Sequence, residues 1–355
     1  MPPLPKPLPT CILLLALIPG LSVPSAVTAQ QLAFSLEPSA DAVRLDYAFA
    51  TLSRDTYRVV VSVPLAEFND ESAIQVSIHD PVLLAEVETV VQRGLDATAA
   101  SMLERVGAGV TIEPRASGMG YHWHWRYHDP RSLNGLTVDA FERSMNAEFT
   151  NVVHDSLRDI LPVFHWTLTD TLDGRRVITT DYTGVARTYA DFVQPLAQAL
   201  IDAAPSQTQR DVIGFIANFV QGIPYDRLES AGSPDFATGF LTPPRLLRHN
   251  VGDCEAKSVL LAALLHAAYP DLGIVYVAIP DHGLLALDID PLPDDRTVRV
   301  NDNAYVLLEA AGEKLSGVGA VYAESGRHLN RQAITAVAPL FPSVFPMAAS
   351  ATGGG

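Results

Sequence analysis

Of the two cysteines in the chain, Cys254 lies in Gly252-Asp253-Cys254-Glu255, just ahead of an Ala/Leu-rich run that reaches about Ala268. A thiol attacks as its thiolate, so a nucleophilic cysteine needs a lowered pKa, and a helix start beside an imidazole supplies two causes of lowering. Asp253 is placed to cap such a helix. Cys254 then falls in the first turn, where backbone N–H groups and the helix dipole favour negative charge and face a developing oxyanion. His282, in Ile279-Pro280-Asp281-His282-Gly283, is the candidate imidazole, and Glu309, closing Tyr305-Val306-Leu307-Leu308-Glu309, is the candidate carboxylate to orient it. Spacing alone does not select this set. His249 and His266 are other histidines near Cys254, and Asp281, Asp288, Asp290, Asp294, Asp295 and Asp302 are rival carboxylates.

The surrounding pattern says what would hold these residues. Ser206 with Gln209 fits a capping box for a helix through Val212, Ile213, Phe215, Ile216, Phe219 and Val220, stopped by Gly222 and Pro224. Residues 226–251 are loop-like. The run after Cys254 is apolar nearly all round, which predicts a buried helix. Strand-like runs follow at Tyr276 to Ile279, Leu284 to Ile289 and Ala304 to Leu308, so His282 and Glu309 would be mounted on strand ends. In the N-terminal half, strand character from Arg44 to Ile78 gives way to helical spacing over Pro81 to Val106. Strands then follow at Val110 to Ile112 and Tyr121 to Tyr127, and a helix at Val138 to Ile160. Finally, Val163 to Leu168 and Val177 to Tyr182 flank an Asp173-Gly174 turn. The whole chain reads as α+β.

Five stretches resemble, in order, the core motifs of bacterial transglutaminase-like domains, which are related to papain. They are Asn218-Phe219-Val220-Gln221-Gly222-Ile223-Pro224-Tyr225, Gly239-Phe240-Leu241-Thr242-Pro243, Gly252-Asp253-Cys254-Glu255-Ala256-Lys257-Ser258, Asp281-His282-Gly283-Leu284-Leu285 and Tyr305-Val306-Leu307-Leu308-Glu309. The resemblance spans residues 186–320 and leaves the N-terminal half outside it. It implies a papain-like arrangement, with the cysteine opening a core helix and the histidine and acid on adjacent strands of an antiparallel sheet. It makes Cys254 the nucleophile, His282 the base and acid, and Glu309 the orienting residue. It also implies an upstream oxyanion donor, for which Tyr225 is the candidate and Gln221 a second. Ala310-Ala311 departs from the Pro/Thr-type residues usual after the acid, and the acid itself is often Asp in such domains. The implied activity is attack of the Cys254 thiolate on an amide carbonyl. Resolution of the acyl-enzyme by water gives a protease or amidase, and resolution by an amine gives a cross-linking transglutaminase. Hydrolysis is the expectation, because nothing marks an acceptor-lysine site. A catalytically silent binding or scaffold module is the alternative from another class.

Composition sets the context. Lys6, an apolar run from Cys11 to Ile18, Pro19-Gly20 and a small-residue stretch ending Val27-Thr28-Ala29 form a signal-peptide layout for residues 1–29. Export to the periplasm or medium, toward a protein, peptide or cell-envelope substrate, is expected, with no membrane span after cleavage. Cleavage would leave Cys254 as the sole thiol. The domains expected are residues 30–185, an α+β unit of unassigned role, then 186–322, the catalytic domain, and 323–355, a partly flexible extension. A net charge of −16 argues against nucleic acid as a partner. No phosphate loop, dinucleotide fingerprint or G-x-S-x-G elbow is present, and no cofactor is expected. His122, His124 and His128, alternating with Trp123, Trp125 and Tyr127, would share a strand face and are the candidates for a metal. Arg126 on the same face and the lack of a nearby cysteine or carboxylate make a polar strand face over an aromatic core the better expectation.

Overall fold

Alternation of buried and exposed residues builds the first sheet. In the computed structural model, β1 (Gln31–Pro38), β2 (Ala42–Ala50) and β3 (Thr56–Pro64) pair antiparallel in that order. Residues 31–342 are described, apart from 108, 130, 132, 171–173, 229–235, 237 and 301. The expected signal peptide, Asp173 of the expected turn and the tail beyond 342 lie outside the described residues. Among the described residues, no helix is long and apolar enough to cross a membrane.

A short helix, α1 (Leu65–Phe68), leads to α2 (Pro81–Val106), whose start is fixed by Asp80 accepting from Val82 N at 2.8 Å and by Pro81 in its first turn. Leu83, Val87, Val91, Leu95, Ala99, Met102 and Val106 form its buried stripe. The hairpin of β4 (Val110–Ser117) and β5 (Gly120–Tyr127) follows, then α3 (Val138–Ile160), capped by Thr137. A second hairpin joins β6 (Trp166–Asp170) to β7 (Arg176–Thr180). The stripes of α2 and α3 meet in one core with Val110, Ile112, Leu133 and Leu161.

The rest of the chain surrounds one buried helix. In order come α4 (Tyr182–Thr188), α5 (Ala190–Ala203), α6 (Gln209–Gly222), α7 (Pro243–His249) and α8 (Cys254–Ala268). They are followed by β8 (Ile274–Ile279), β9 (His282–Leu287), β10 (Thr297–Val300), β11 (Asn303–Leu308), α9 (Ala323–Asn330) and β12 (Ala336–Phe341). The strands form an antiparallel sheet ordered β10-β11-β9-β8-β12. On α8 every residue from Cys254 to Leu265 except Glu255 is buried, because α4, α5, α6, α7 and β9 pack around it. The fold is α+β with antiparallel sheets.

The cores do not divide at residue 185. Val43, Leu45, Tyr47 and Phe49 of β2 and Val59, Val61 and Val63 of β3 are buried in the same core as α5, α6 and α8. Tyr47 packs edge-on to Phe219 with ring centroids 5.0 Å apart, and Phe49 lies 5.3 Å from Phe215. The first sheet thus packs with the elements around Cys254, a separate core spans 83–161, and a third, smaller one lies on the sheet of β8–β11. Likewise β12, expected within a partly flexible extension, pairs with β8 along the edge of the five-stranded sheet. Helix α7 lies inside the stretch expected to be loop, started by Pro243 and Pro244, whose missing N–H groups cost nothing in a first turn. The cap of α6 is Thr208, accepting from Asp211 N, and Ser206 instead donates to the Asp211 carboxylate at 2.6 Å.

Candidate active site

Asp253 caps α8 by accepting from Ala256 N at 2.8 Å, which puts Cys254 at the first helical position. Gly252 before it passes Leu246 of α7 so closely that a Cβ would lie 2.8 Å from Cδ1. On the opposite side, β8 and β9 form a tight hairpin in which Ile279 pairs with His282. Pro280 and Asp281 make the turn, Asp281 at φ 58°, a left-handed position that Asp tolerates. The turn presents His282 on the first residue of β9.

The imidazole is held from behind. His282 Nε2 lies 2.7 Å from Glu309 Oε2, and Glu309, the residue after β11, is 0% exposed. The other carboxylate oxygen accepts from Tyr322 N at 3.0 Å. With Nε2 donating to the carboxylate, Nδ1 carries the lone pair. The His282 side chain remains 22% exposed, so its free edge is reachable.

Cys254 is 5% exposed, and its Sγ donates to Glu255 Oε2 at 2.9 Å. The Gly283 N–H, next along from His282, also reaches the sulfur, which brings the thiol to the histidine's end of β9. The expectation of a lowered thiol pKa is overturned. Burial first, then the charge and hydrogen bond of Glu255 and the charge of Asp253, push the thiol up, and the Gly283 N–H only partly opposes them. The helix start alone does not win against a dry site with two carboxylates.

Tyr225, the first oxyanion candidate, is 51% exposed at the rim, its backbone bridged in parallel to Gly252. Burial raises its phenol, and Cys254 is the next cause, so the ring lies within electrostatic reach of the sulfur. Gln221, the second candidate, is turned elsewhere. Its Nε2 donates to the Glu309 carbonyl at 2.8 Å and to Ser316 Oγ at 3.1 Å, while Oε1 accepts from Ser316 N at 3.0 Å. An amide so committed anchors the backbone under Glu309 and has no donor left for an oxyanion.

Three neighbours of the sulfur escaped the sequence reading. Tyr182 of α4 has its phenol raised by burial and then by Glu255, Asp253 and Cys254, and its ring lies 4.7 Å from Tyr276 and 5.7 Å from Phe240. Tyr276 of β8 crosses Gly283, where a Cβ would meet its Oη at 2.3 Å. Lys257, one turn into α8, is fully buried and donates to the carbonyls of Gln221 and Ile223 at 3.1 and 2.7 Å. Burial lowers its pKa to about 7, against the pull of Asp253. It ties the segment leading to Tyr225 onto α8.

Two predictions arise here. Gly283→Ala must displace the buried Tyr276 ring or shift the Gly283 N–H off the sulfur, so it is expected to cost about 1–3 kcal/mol, read by chemical denaturation, and to change the alkylation rate of Cys254. Asp253 has its carboxyl raised by burial and by Glu255 beside it. Folding therefore binds its proton more tightly than the unfolded chain does. The stability it contributes is full below the ordinary carboxylate range and is lost as pH climbs toward its raised folded value. Asn caps as well as Asp and carries no charge. Asp253→Asn is thus expected to melt above wild type, by a margin that widens from pH 4 to pH 8 in calorimetry.

The strand histidines lie apart from this site. His122 and His124 stand exposed on β5 with rings 5.3 Å apart, and His128, beyond the strand end, meets Thr111 Oγ1 at 2.6 Å. Trp123, Trp125 and Tyr127 face α3, bonding Asn146 and Glu142. Among the described residues, no group of three or more His, Cys, Asp or Glu side chains could hold a metal ion.

No family model, curated protein or solved structure matches the chain.

Proposed function

We propose that this protein is an exported, cysteine-dependent amide hydrolase, a protease or amidase of the transglutaminase-like, papain-related kind, acting through Cys254, His282 and Glu309. The observation that carries the reading is the His282–Glu309 pair. A fully buried carboxylate 2.7 Å from a part-exposed imidazole, at the start of the strand whose Gly283 N–H reaches the only cysteine of the described residues, is an orienting arrangement with a cost. Burying an acid there is unfavourable unless it is bonded, and both of its oxygens are spent on fixing the histidine and the Tyr322 N–H. In the proposed reaction His282 Nδ1 takes the Cys254 proton and the thiolate attacks the amide carbon. The imidazolium then protonates the departing amine, and water resolves the thioester with His282 as base.

One observation favours a second reading, a catalytically silent binding module. The resting thiol is bonded to Glu255, and its surroundings oppose ionisation. Incubating wild type and Cys254→Ala with an exported-protein extract separates the readings. New N-termini made only by wild type support hydrolysis, and new isopeptides indicate transfer to an amine. Neither product, over a range of pH, sinks the enzyme reading.

A further inference from the structure

The residue next to the cysteine does more than fill a helix position. Glu255 is the one residue of α8 between Cys254 and Leu265 that is not buried, and its Oε2 accepts a hydrogen bond from Cys254 Sγ at 2.9 Å. We propose that Glu255 is a positioning residue that holds the resting Cys254 in its S–H form, and that thiolate forms only when this hydrogen bond is exchanged for one to His282. The proposal rests on the triad reading above. In the exchange the Sγ–H bond breaks and an Nδ1–H bond forms on His282, giving thiolate and imidazolium while Nε2–H stays on Glu309. Protonation states balance without another reactant.

The setting supports this. A thiol donating to a carboxylate keeps its proton, because ionisation would place two negative charges in contact. The other groups around the sulfur are Asp253 of the helix cap, Lys257 one turn into α8, Tyr182 of α4, Tyr276 of β8, the Gly283 N–H of β9 and Tyr225 at the rim. Among the charged ones only Glu255 bonds the sulfur itself. A site built this way keeps its nucleophile quiet until something displaces the Glu255 carboxylate, which suits the proposed export to an oxidising compartment, since the thiolate is the form that oxidises.

The test is the pH dependence of iodoacetamide alkylation at Cys254 in the full chain, read by peptide mass, for wild type, Glu255→Gln, Asp253→Asn, His282→Ala and the Glu255→Gln/His282→Ala pair. Glu255→Gln is expected to react at least about tenfold faster at neutral pH, with its rate midpoint moved to lower pH. Asp253→Asn leaves the hydrogen bond in place and replaces a carboxyl that burial and Glu255 already hold toward its neutral form, so its gain should be clearly smaller. Equal gains, or none in Glu255→Gln, overturn the proposal. If His282→Ala slows the reaction while Glu255→Gln leaves it unchanged, the triad stands and the hold fails. If Glu255→Gln speeds a reaction indifferent to His282→Ala, the hold stands and the triad fails. Should Glu255→Gln misfold, the S–H stretch of a Cys11→Ser chain, which has Cys254 as its only thiol, decides. A frequency shifted down as for a thiol bonded to a carboxylate supports the proposal, and that of a free thiol overturns it.

Discussion

In His282→Ala, turnover of an amide by the proposed hydrolase is expected to fall by about 10³-fold or more, in kcat rather than KM. The size follows from the sulfur's surroundings. Burial, Glu255 and Asp253 all raise the thiol's pKa, so the helix start does not supply a standing thiolate and the proton must be removed by a base during the reaction. His282 is the proposed base, with one nitrogen held by Glu309 at 2.7 Å and the other left free. Steady-state kinetics on any peptide that wild type cleaves checks this, with a companion melt to separate chemistry from folding. His282→Gln serves as the control, because its amide can still donate to the buried carboxylate and spares the fold an unpaired charge. A loss below tenfold would mean another group moves the proton.

Glu309 gives the second large effect, and two substitutions divide its roles. Glu309→Ala leaves the Tyr322 N–H without its partner, deprives His282 of its anchor and opens a cavity at a fully buried position. It is expected to cost about 2–5 kcal/mol of stability as well as activity. Glu309→Gln keeps the volume but has only one acceptor oxygen for two N–H donors. If that oxygen stays on Tyr322 N, the amide NH2 faces His282 Nε2, which must then give up its proton. The tautomer flips, Nδ1 carries the hydrogen toward the thiol, and the base is lost. A wrong-tautomer change of this kind in a Ser-His-Asp triad costs about 10⁴-fold, and a loss of similar order with a much smaller stability change is the expectation. Denaturant melts and kcat measured together on both variants test the division. Near-normal activity in Glu309→Gln would show that the carboxylate only packs.

What could be read in advance, and what could not, follows from the range of the forces involved. Helices α2 and α3 end where their apolar stripes and caps end, at Pro81–Val106 and Val138–Ile160, because local periodicity and capping decide them. The uniform apolarity after Cys254 gave away a buried α8, and the strand ends carrying His282 and Glu309 followed from short apolar runs. Three things depended on contacts distant in sequence. Tyr47 and Phe49 read as ordinary strand residues, and only their packing on Phe215 and Phe219 puts the first sheet into the same core as Cys254. Gln221 sits in the right segment for an oxyanion donor, but its amide is drawn to Ser316 and the Glu309 carbonyl, about 90 positions away. Tyr182 lies before the stretch that carried the resemblance, and α4 brings it within electrostatic reach of the sulfur. The sign of the thiol's shift was misread for a local reason. Glu255 adjoins Cys254 in the chain, yet whether its carboxylate turns to solvent or to the sulfur is a rotamer choice that no spacing encodes.

The central claim is that Cys254 is a nucleophile driven by His282. Mixing the full chain with the p-nitrophenyl ester of an N-acyl amino acid, quenching in acid and mapping the added mass tests it most directly. The account predicts the acyl group on the peptide carrying Cys254 in wild type, none there in Cys254→Ala, and acylation slower by at least about a hundredfold in His282→Ala. An acyl group placed elsewhere, or a Cys254 adduct that forms as fast without His282 as with it, would contradict it.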